Sequence, residues 1–187
     1  MSDLFGSTGL FSHDFSKDIN NLLVYSTKPK AWIGIDNGVS GSIGIITEDG
    51  KSLMVKTPIK NEQSYTKVKN RINRVDVIEL KKLLSAYSKD SQVVIERPMV
   101  NPKMFKTTLS AMRALEATLC VLEDLGFAYS YFDSKQWQRE MLPSGYSGPE
   151  LKVVSLEIGN RLFPQITVKH PDRDSILMAE YLRRSLK

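Results

Sequence analysis

Hydrophobic and polar positions from residue 31 onward first follow the short periods of β-strands. Three β-rich runs occupy 31–36, 42–47 and 52–57, and the turn sequence Glu-Asp-Gly-Lys at 48–51 separates the last two. Closely spaced runs joined by turn residues indicate hairpins. The pattern therefore predicts a three-stranded antiparallel meander.

A polar, basic stretch from Lys60 to Arg74 follows, and the pattern assigns it no regular element. Next comes a helix with Asp76 as its N-cap, and Glu79 three residues on completes a candidate capping box. Leucines at 80, 83 and 84 share one face of this helix with Val77. We expect that face to be buried.

The remaining chain alternates between strand and helix patterns. The apolar run 92–96 predicts a fourth strand that is buried on both faces, because it lacks polar alternation. A fifth strand is predicted at 127–132, and helices at 104–125, 134–141, 149–162 and 172–186. Hairpins followed by helix–strand units predict an α/β fold, with a mixed five-stranded sheet flanked by helices.

Residues 1–28 differ from the rest, because they are rich in Ser, Asp, Asn and Gly and show no sustained period. We predict an N-terminal arm there, with a short helix near 16–23. The chain has 187 residues, a length that suits one well-cored domain. That domain is expected to span 29–187.

Composition excludes several protein classes. The single cysteine, Cys120, cannot form an internal disulfide and favours a reducing compartment, and its apolar helical surroundings predict burial. No apolar run reaches the ~18–20 residues of a membrane span, and no signal peptide is recognisable. We therefore expect a cytoplasmic protein. A net charge of +5 and a pI near 9.2 moderately favour a polyanionic partner.

Four acidic residues stand where a strand ends or a helix begins. Asp36 closes the first strand, Glu96 closes the fourth, and Asp172 and Asp174 open the last helix. Carboxylates gathered at neighbouring strand ends repel one another unless a cation lies among them. Hard oxygen ligands favour Mg²⁺ or Mn²⁺ over zinc. The four residues are therefore candidate metal ligands.

Each acid also has a simpler interpretation. Asp36 begins a turn-forming Asp-Asn-Gly sequence, Glu96 could pair with Arg97, and acids in a first helical turn are favourable caps. Sugar kinases and actin-like ATPases share a strand, an acid and a glycine-rich hairpin with this chain. They need a second such hairpin and a second domain, which the sequence lacks.

The order of the acids and the sequences around them resembles RuvC-like Holliday-junction resolvases of the RNase H-like (retroviral integrase) superfamily, especially the phage-type enzymes. The resemblance covers residues 31–184. Besides the acids it rests on the runs 95–98, 101–103, 110–117, 136–143 and 179–181. It implies an RNase H-like nuclease fold and a protein acting in the cytoplasm of a host cell.

One position departs from the family pattern. Members usually carry the third ligand, Asp or His, three residues before the final Asp, and here that residue is Pro171. Proline cannot ligate a metal, so a neighbour must replace it. We favour Asp172, because an additional carboxylate suits Mg²⁺, and His170 is the alternative ligand.

The resemblance implies a metal-dependent endodeoxyribonuclease that resolves four-way junctions by paired nicks, leaving 5′-phosphate and 3′-hydroxyl ends. Two Mg²⁺ ions per site are expected, with Mn²⁺ able to substitute, and Asp36 as the bridging ligand. A homodimer would match the two-fold symmetry of a junction. The alternatives are a related nuclease for flaps or forks, and a non-catalytic subunit that binds DNA structures.

Basic residues supply candidate phosphate contacts. Four cations within eight residues, beside Tyr65, form the most DNA-like group. The candidate DNA-binding residues are Lys67, Lys69, Arg71, Arg74, Lys103, Lys106, Arg113 and Arg173. Lys152 and the C-terminal Arg183 and Arg184 belong to a further basic group. Phe105 or Tyr146 could stack on an opened base, although core burial is the simpler prediction for Phe105.

Overall fold

A computed structural model describes residues 28–65, 67 and 69–186. The predicted N-terminal arm and its helix near 16–23 lie outside the described residues. Within the part of the chain that is described, no helix has the length and apolar character needed to cross a membrane.

Five strands form the central sheet: β1 Ala31–Asp36, β2 Ser42–Thr47, β3 Ser52–Lys56, β6 Gln92–Glu96 and β7 Tyr129–Phe132. Their order across the sheet is β3-β2-β1-β6-β7. β2 pairs antiparallel with β1 and β3, while β6 is parallel to both β1 and β7. This confirms the predicted mixed sheet.

The polar stretch that the pattern left without a regular element is a second, two-stranded sheet. β4 (Ile59–Gln63) pairs antiparallel with β5 (Arg71–Val75), and we call this hairpin the ribbon. The sequence prediction was wrong here because strands that expose polar side chains on both faces lack the apolar alternation of a half-buried strand.

Five helices surround the sheet in the described chain: α1 Val77–Leu84, α2 Phe105–Asp124, α3 Ser134–Met141, α4 Pro149–Leu162 and α5 Asp174–Ser185. Leu84 of α1 and Leu122 of α2 pack on one face of the sheet with Ile33 and Ile95. On the other face, Val94 contacts the core formed by α3, α4 and α5. The apolar run of β6 is therefore buried from both sides, as predicted.

α5 lies directly on the sheet because two glycines face it. Gly34 of β1 and Gly44 of β2 are cross-strand partners. A Cβ on Gly34 would stand 2.2 Å from the carbonyl oxygen of Ser175, and one on Gly44 would stand 2.4 Å from the Cα of Ile176. Such distances are far inside van der Waals contact, so side chains at these positions would push the helix away.

Several local predictions need correction. Asp76 caps α1 by accepting from the backbone N–H groups of Ile78 and Glu79, but its own N–H donates to Pro58 and not to Glu79. Cys120 is exposed, because it lies on the outer face of α2. Phe105 is 68% exposed, since it opens α2 at the surface and does not reach the core.

Candidate active site

Two of the candidate ligands meet at one edge of the sheet because their strands are parallel neighbours. β1 and β6 pair with Ile35 opposite Ile95, so the next residues, Asp36 and Glu96, leave the sheet side by side. Their carboxyl groups are close enough for Glu96 to raise the pKa of Asp36. This is the C-terminal edge of the parallel strands, where open α/β sheets bind ligands.

The other two acids reach this edge from the beginning of α5. The close contact of α5 with the glycine pair brings the helix onto β1 and β2, and the buried Ser42 hydroxyl donates to that of Ser175 at 2.8 Å. α5 begins at Asp174, so Asp172 lies in the non-helical segment that precedes it. Both carboxylates therefore reach the same site despite their spacing of two.

The four carboxylates interact electrostatically. Burial raises the pKa of Asp36 well above its usual range, and Glu96, Asp174 and Asp172 raise it further. Burial and then Asp172 raise the pKa of Asp174 to about 7, against opposing effects of Ser155 and Lys152. The site thus concentrates more negative charge than the surrounding protein neutralises.

Hydroxyl groups orient two of these carboxylates. Ser134, the first residue of α3, donates to Glu96 at 2.6 Å. The buried Ser155 of α4 donates to Asp174 and accepts from the backbone N–H of Arg173 at 3.1 Å. Ser155 therefore fixes both the side chain of Asp174 and the turn that leads into α5.

A lysine of α4 also belongs to the site. Lys152 Nζ stands 3.1 Å from Asp172, whose side chain is only 1% exposed. Burial opposes the charge of Lys152, but Asp172, followed by Asp174 and Asp36, raises its pKa above the usual value. The amine therefore stays protonated and accessible beside the carboxylates.

His170 is buried, and both of its ring nitrogens already contact oxygen atoms of the protein. Its Nδ1 lies 3.1 Å from the Asp172 carboxylate, and its Nε2 lies 3.1 Å from the carbonyl oxygen of Ser40. Both ring nitrogens thus face oxygen acceptors. The ring links the β1–β2 loop to the segment before α5, which favours a positioning role over metal ligation.

The donor set suits a hard divalent cation, because the carboxylate oxygens of the site are ligands that Mg²⁺ and Mn²⁺ accept. Asn37 Oδ1, next to Asp36, is buried without a hydrogen-bond partner in the described structure. Among residues 28–65, 67 and 69–186, however, no three His, Cys, Asp or Glu side chains stand in an arrangement that could hold a metal ion. A bound ion would have to replace some of the hydrogen bonds that now engage the carboxylates.

The candidate DNA-binding residues occupy three places. Lys67 and Lys69 are exposed in the turn of the ribbon, Arg74 pairs with Glu62 at 2.5 Å, and Arg71 bonds to Asn61. Lys103 and Lys106 are exposed at the start of α2, beyond the β6 end that carries Glu96. Arg113 of α2 stacks on Tyr65, with 5.6 Å between its guanidinium carbon and the ring centroid.

Arg173 was wrongly assigned to DNA. It is only 5% exposed, and its aliphatic stem lies against Gly159 of α4, where any Cβ would collide with it. Its Nη1 donates to the carbonyl oxygen of Asp172. Arg183 and Arg184 are also engaged, because both pair with the buried Glu180 at 2.7 Å.

The residues that support the acids were not predicted from the sequence. Ser134 and Ser155 carry no local signal beyond a helix start and a helical position, and Gly34 and Gly44 look like ordinary strand glycines. Lys152 was grouped with basic surface residues. A sequence motif could have identified these residues only if it contained both the supporting residue and the acid that it contacts.

No protein-family model and no curated protein sequence matches the chain. Solved structures do. T. thermophilus RuvC in complex with a Holliday junction substrate is 12% identical, with a TM-score of 0.54 over 83% of this chain and 96% of that one. A second Thermus thermophilus RuvC structure is 12% identical, with a TM-score of 0.51 over 82% and 95%. The yeast mitochondrial Holliday junction resolvase Ydc2 is 14% identical, with a TM-score of 0.47 over 90% and 84%. The two RuvC structures show that the chain has the fold of RuvC, and the predicted mixed five-stranded sheet with flanking helices is confirmed.

Proposed function

We propose that this protein is a metal-dependent endonuclease that cleaves four-way DNA junctions by paired nicks. The observation that carries the proposal is the meeting of four acids, from three distant segments, at one edge of a RuvC-like sheet. The solved RuvC complex contains a Holliday junction. Acids that served only as helix caps or turn residues would not be expected to converge at one edge of the sheet.

The arrangement suggests a role for each acid. Asp36 interacts with the other three and is the proposed shared ligand of two Mg²⁺ or Mn²⁺ ions. Glu96 on β6 and Asp174 on α5 both interact with Asp36, and each would hold one ion. Bound ions would lower the pKa of an attacking water and neutralise charge on the phosphate. Asp172 would complete the ligand set.

The neighbouring residues prepare these carboxylates. Ser134 and Ser155 hold Glu96 and Asp174 in fixed directions, which reduces the conformational entropy that each side chain would lose on binding its ion. Raised pKa values of Asp36 and Asp174 mean that ionisation is costly until positive charge arrives. Lys152 offers a cation at the same edge, suited to a phosphate oxygen of the substrate.

The proposal is tested with a synthetic four-way junction in Mg²⁺, Mn²⁺ and EDTA. Asp36→Asn and Glu96→Gln keep side-chain shape but remove a ligating charge, so each should lower the cleavage rate by more than about 10³-fold. Binding should be kept or slightly tightened, because less negative charge faces the phosphates. Asp124→Asn, an exposed acid at the end of α2, is the matched control.

Cleavage by wild type in EDTA, or near-normal cleavage by either site variant, would overturn the proposal. Fork, flap and linear duplex substrates of the same sequence identify the preferred DNA structure.

Paired nicks require two sites, so we also propose a homodimer. Light scattering of the free protein and of its junction complex checks that state.

A further inference from the structure

Most of the net charge lies on the ribbon. Residues 59–75 contain five Lys or Arg and one Glu, so they carry +4 of the chain's +5. Among the described residues of the ribbon, Val75 at its base is the one apolar residue buried in the core. Two-stranded ribbons are marginally stable alone, and the positive charge of this one suits a polyanionic partner.

The strand register divides the ribbon into two chemically different faces. Cross-strand pairing places Asn61 opposite Asn73 and Gln63 opposite Arg71 on one face, which we call the amide face. The pairs on either side of Asn61 and Asn73, namely Lys60 opposite Arg74 and Glu62 opposite Ile72, lie on the other face. All four amide-face side chains are exposed.

The amide face is held together by its own hydrogen bonds. Asn61 Nδ2 donates to Asn73 Oδ1 at 2.8 Å, and Arg71 Nη2 donates to the Asn61 carbonyl oxygen at 2.6 Å. Arg71 Nε also donates to the Asn61 side chain. These contacts align the side chains in one row, so little conformational entropy remains to be lost on binding.

The composition of this face matches base edges better than phosphates. Asn and Gln amides pair with adenine N6 and N7, and Arg pairs with guanine O6 and N7, all in the major groove. That groove is wide enough to admit a two-stranded ribbon. Phosphate binding alone would require cations, which the ribbon carries on its other face and in its turn.

The ribbon stands beside the candidate active site. Asn73, Arg74 and Val75 share a small crevice with Val39 of the β1–β2 loop and Arg113 of α2. Val39 follows Asp36 by three residues in that loop. The base of the ribbon therefore adjoins the loop that follows Asp36.

We propose that the ribbon lies in the major groove of one duplex arm of the substrate, with Asn61, Gln63, Arg71 and Asn73 against the base edges. The inference rests on the proposed function, because it takes that function's branched DNA as the substrate. It adds a sequence preference within the arm to the recognition of the branch. Lys60, Lys67, Lys69 and Arg74 then contact the flanking phosphates.

Two matched double variants separate base reading from phosphate binding. Asn61→Ala/Asn73→Ala removes one cross-strand pair from the amide face, and Lys60→Ala/Arg74→Ala removes the adjacent pair from the other face. Both pairs are exposed, and equal thermal unfolding to wild type checks the fold. The assay is cleavage of four-way junctions whose arms carry randomised base pairs near the crossover, followed by sequencing of the products.

Wild type should prefer some arm sequences, and the amide-face variant should reduce that preference by about tenfold, the factor of one bidentate contact. The cation variant should weaken binding to all sequences equally and reduce the salt dependence. An unchanged preference in the amide-face variant, or no preference in wild type, would overturn the proposal.

A footprint keeps this test independent of cleavage. With Glu96→Gln protein bound to the junction, guanine N7 in one arm should be protected from methylation, and the amide-face substitutions should remove that protection. Protection of adenine N3 alone would place the ribbon in the minor groove and overturn the inference. Failure of wild type to cleave, with N7 protection intact, would instead overturn the proposed activity and leave the ribbon's role standing.

Discussion

The carboxylate edge and the ribbon carry opposite charges and are built in opposite ways. The acids stand at the ends of buried elements, where strand pairing and the contact of α5 with the sheet fix their positions. The cations stand on an exposed hairpin whose order depends on contacts between polar side chains. A cation site needs ligands that are held at fixed positions close together. Contact with a long polyanion instead needs an extended surface that makes many weak interactions.

This contrast explains why the regions should respond differently to mutation. A change at the carboxylate edge alters charges that are buried or partly buried and that interact with one another, so single substitutions should have large effects. A change on the ribbon alters exposed charges that solvent and salt already screen. Only combined substitutions there should be easily measured.

After the loss of Asp36 or Glu96, the largest effect is expected for the proposed third ligand. Asp172→Ala should lower single-turnover junction cleavage by more than about 100-fold, because it removes a carboxylate and leaves Lys152 without its partner. His170→Ala should cost roughly tenfold or less, since its ring positions Asp172 and the Ser40 loop. The opposite ranking would make the histidine the ligand. Far-UV circular dichroism establishes that both variants are folded.

Next in size is the glycine pair that places the acids. Gly34→Ala should destabilise the protein by about 3 kcal/mol, because its methyl group would overlap the Ser175 carbonyl and displace α5. Cleavage should fall as well, since α5 carries Asp174. Urea unfolding measures the loss, and Ser130→Ala on the exposed edge strand β7 is the control. A stable Gly34→Ala protein with full activity would show that α5 can shift without separating the acids.

The raised pKa of Asp174 predicts an unusual pH dependence. In the unfolded chain this group titrates near ~4, whereas in the fold its pKa is about 7. The folded state therefore stays protonated at this group to a higher pH than the unfolded chain does. The free energy of unfolding should consequently fall as pH rises from about 4 to 7.

At pH 8 without metal, Asp174→Asn should consequently be more stable than wild type by about 1–3 kcal/mol, and at pH 4 the two should be equal. Mg²⁺ should stabilise wild type more than the variant. Thermal unfolding across this pH range, with Asp124→Asn as control, measures both effects. Parallel curves for wild type and Asp174→Asn would contradict the shift.

The smallest effect is expected on the ribbon. Replacing Lys67, Lys69, Arg71 and Arg74 together by Ala should weaken junction binding by about tenfold at physiological salt. The slope of log affinity against log salt should fall by roughly 0.9 for each phosphate that the protein no longer neutralises. Lys81→Ala/Lys82→Ala on α1 is the control. An unchanged slope would mean that these cations form a solvated face and that DNA follows another path.

Element types were largely predictable because apolar spacing reflects burial. The bounds of α3 and α4 agree with the predicted 134–141 and 149–162, where a buried face and a first-turn proline give clear signals. The ribbon was not predictable, because neither of its strands has a continuous apolar face. Its pairing depends on cross-strand hydrogen bonds that no single strand displays.

The sequence by itself determined the five strands of the central sheet, the helices and the four acids that end or precede them, because local periodicity and capping are properties of neighbouring residues. Tertiary structure alone decided which partners these acids have. It set Lys152 and His170 against Asp172, buried Arg173 over Gly159, and brought α5 onto Gly34 and Gly44. These contacts join residues far apart in the chain, and their distances follow from how the sheet and helices pack.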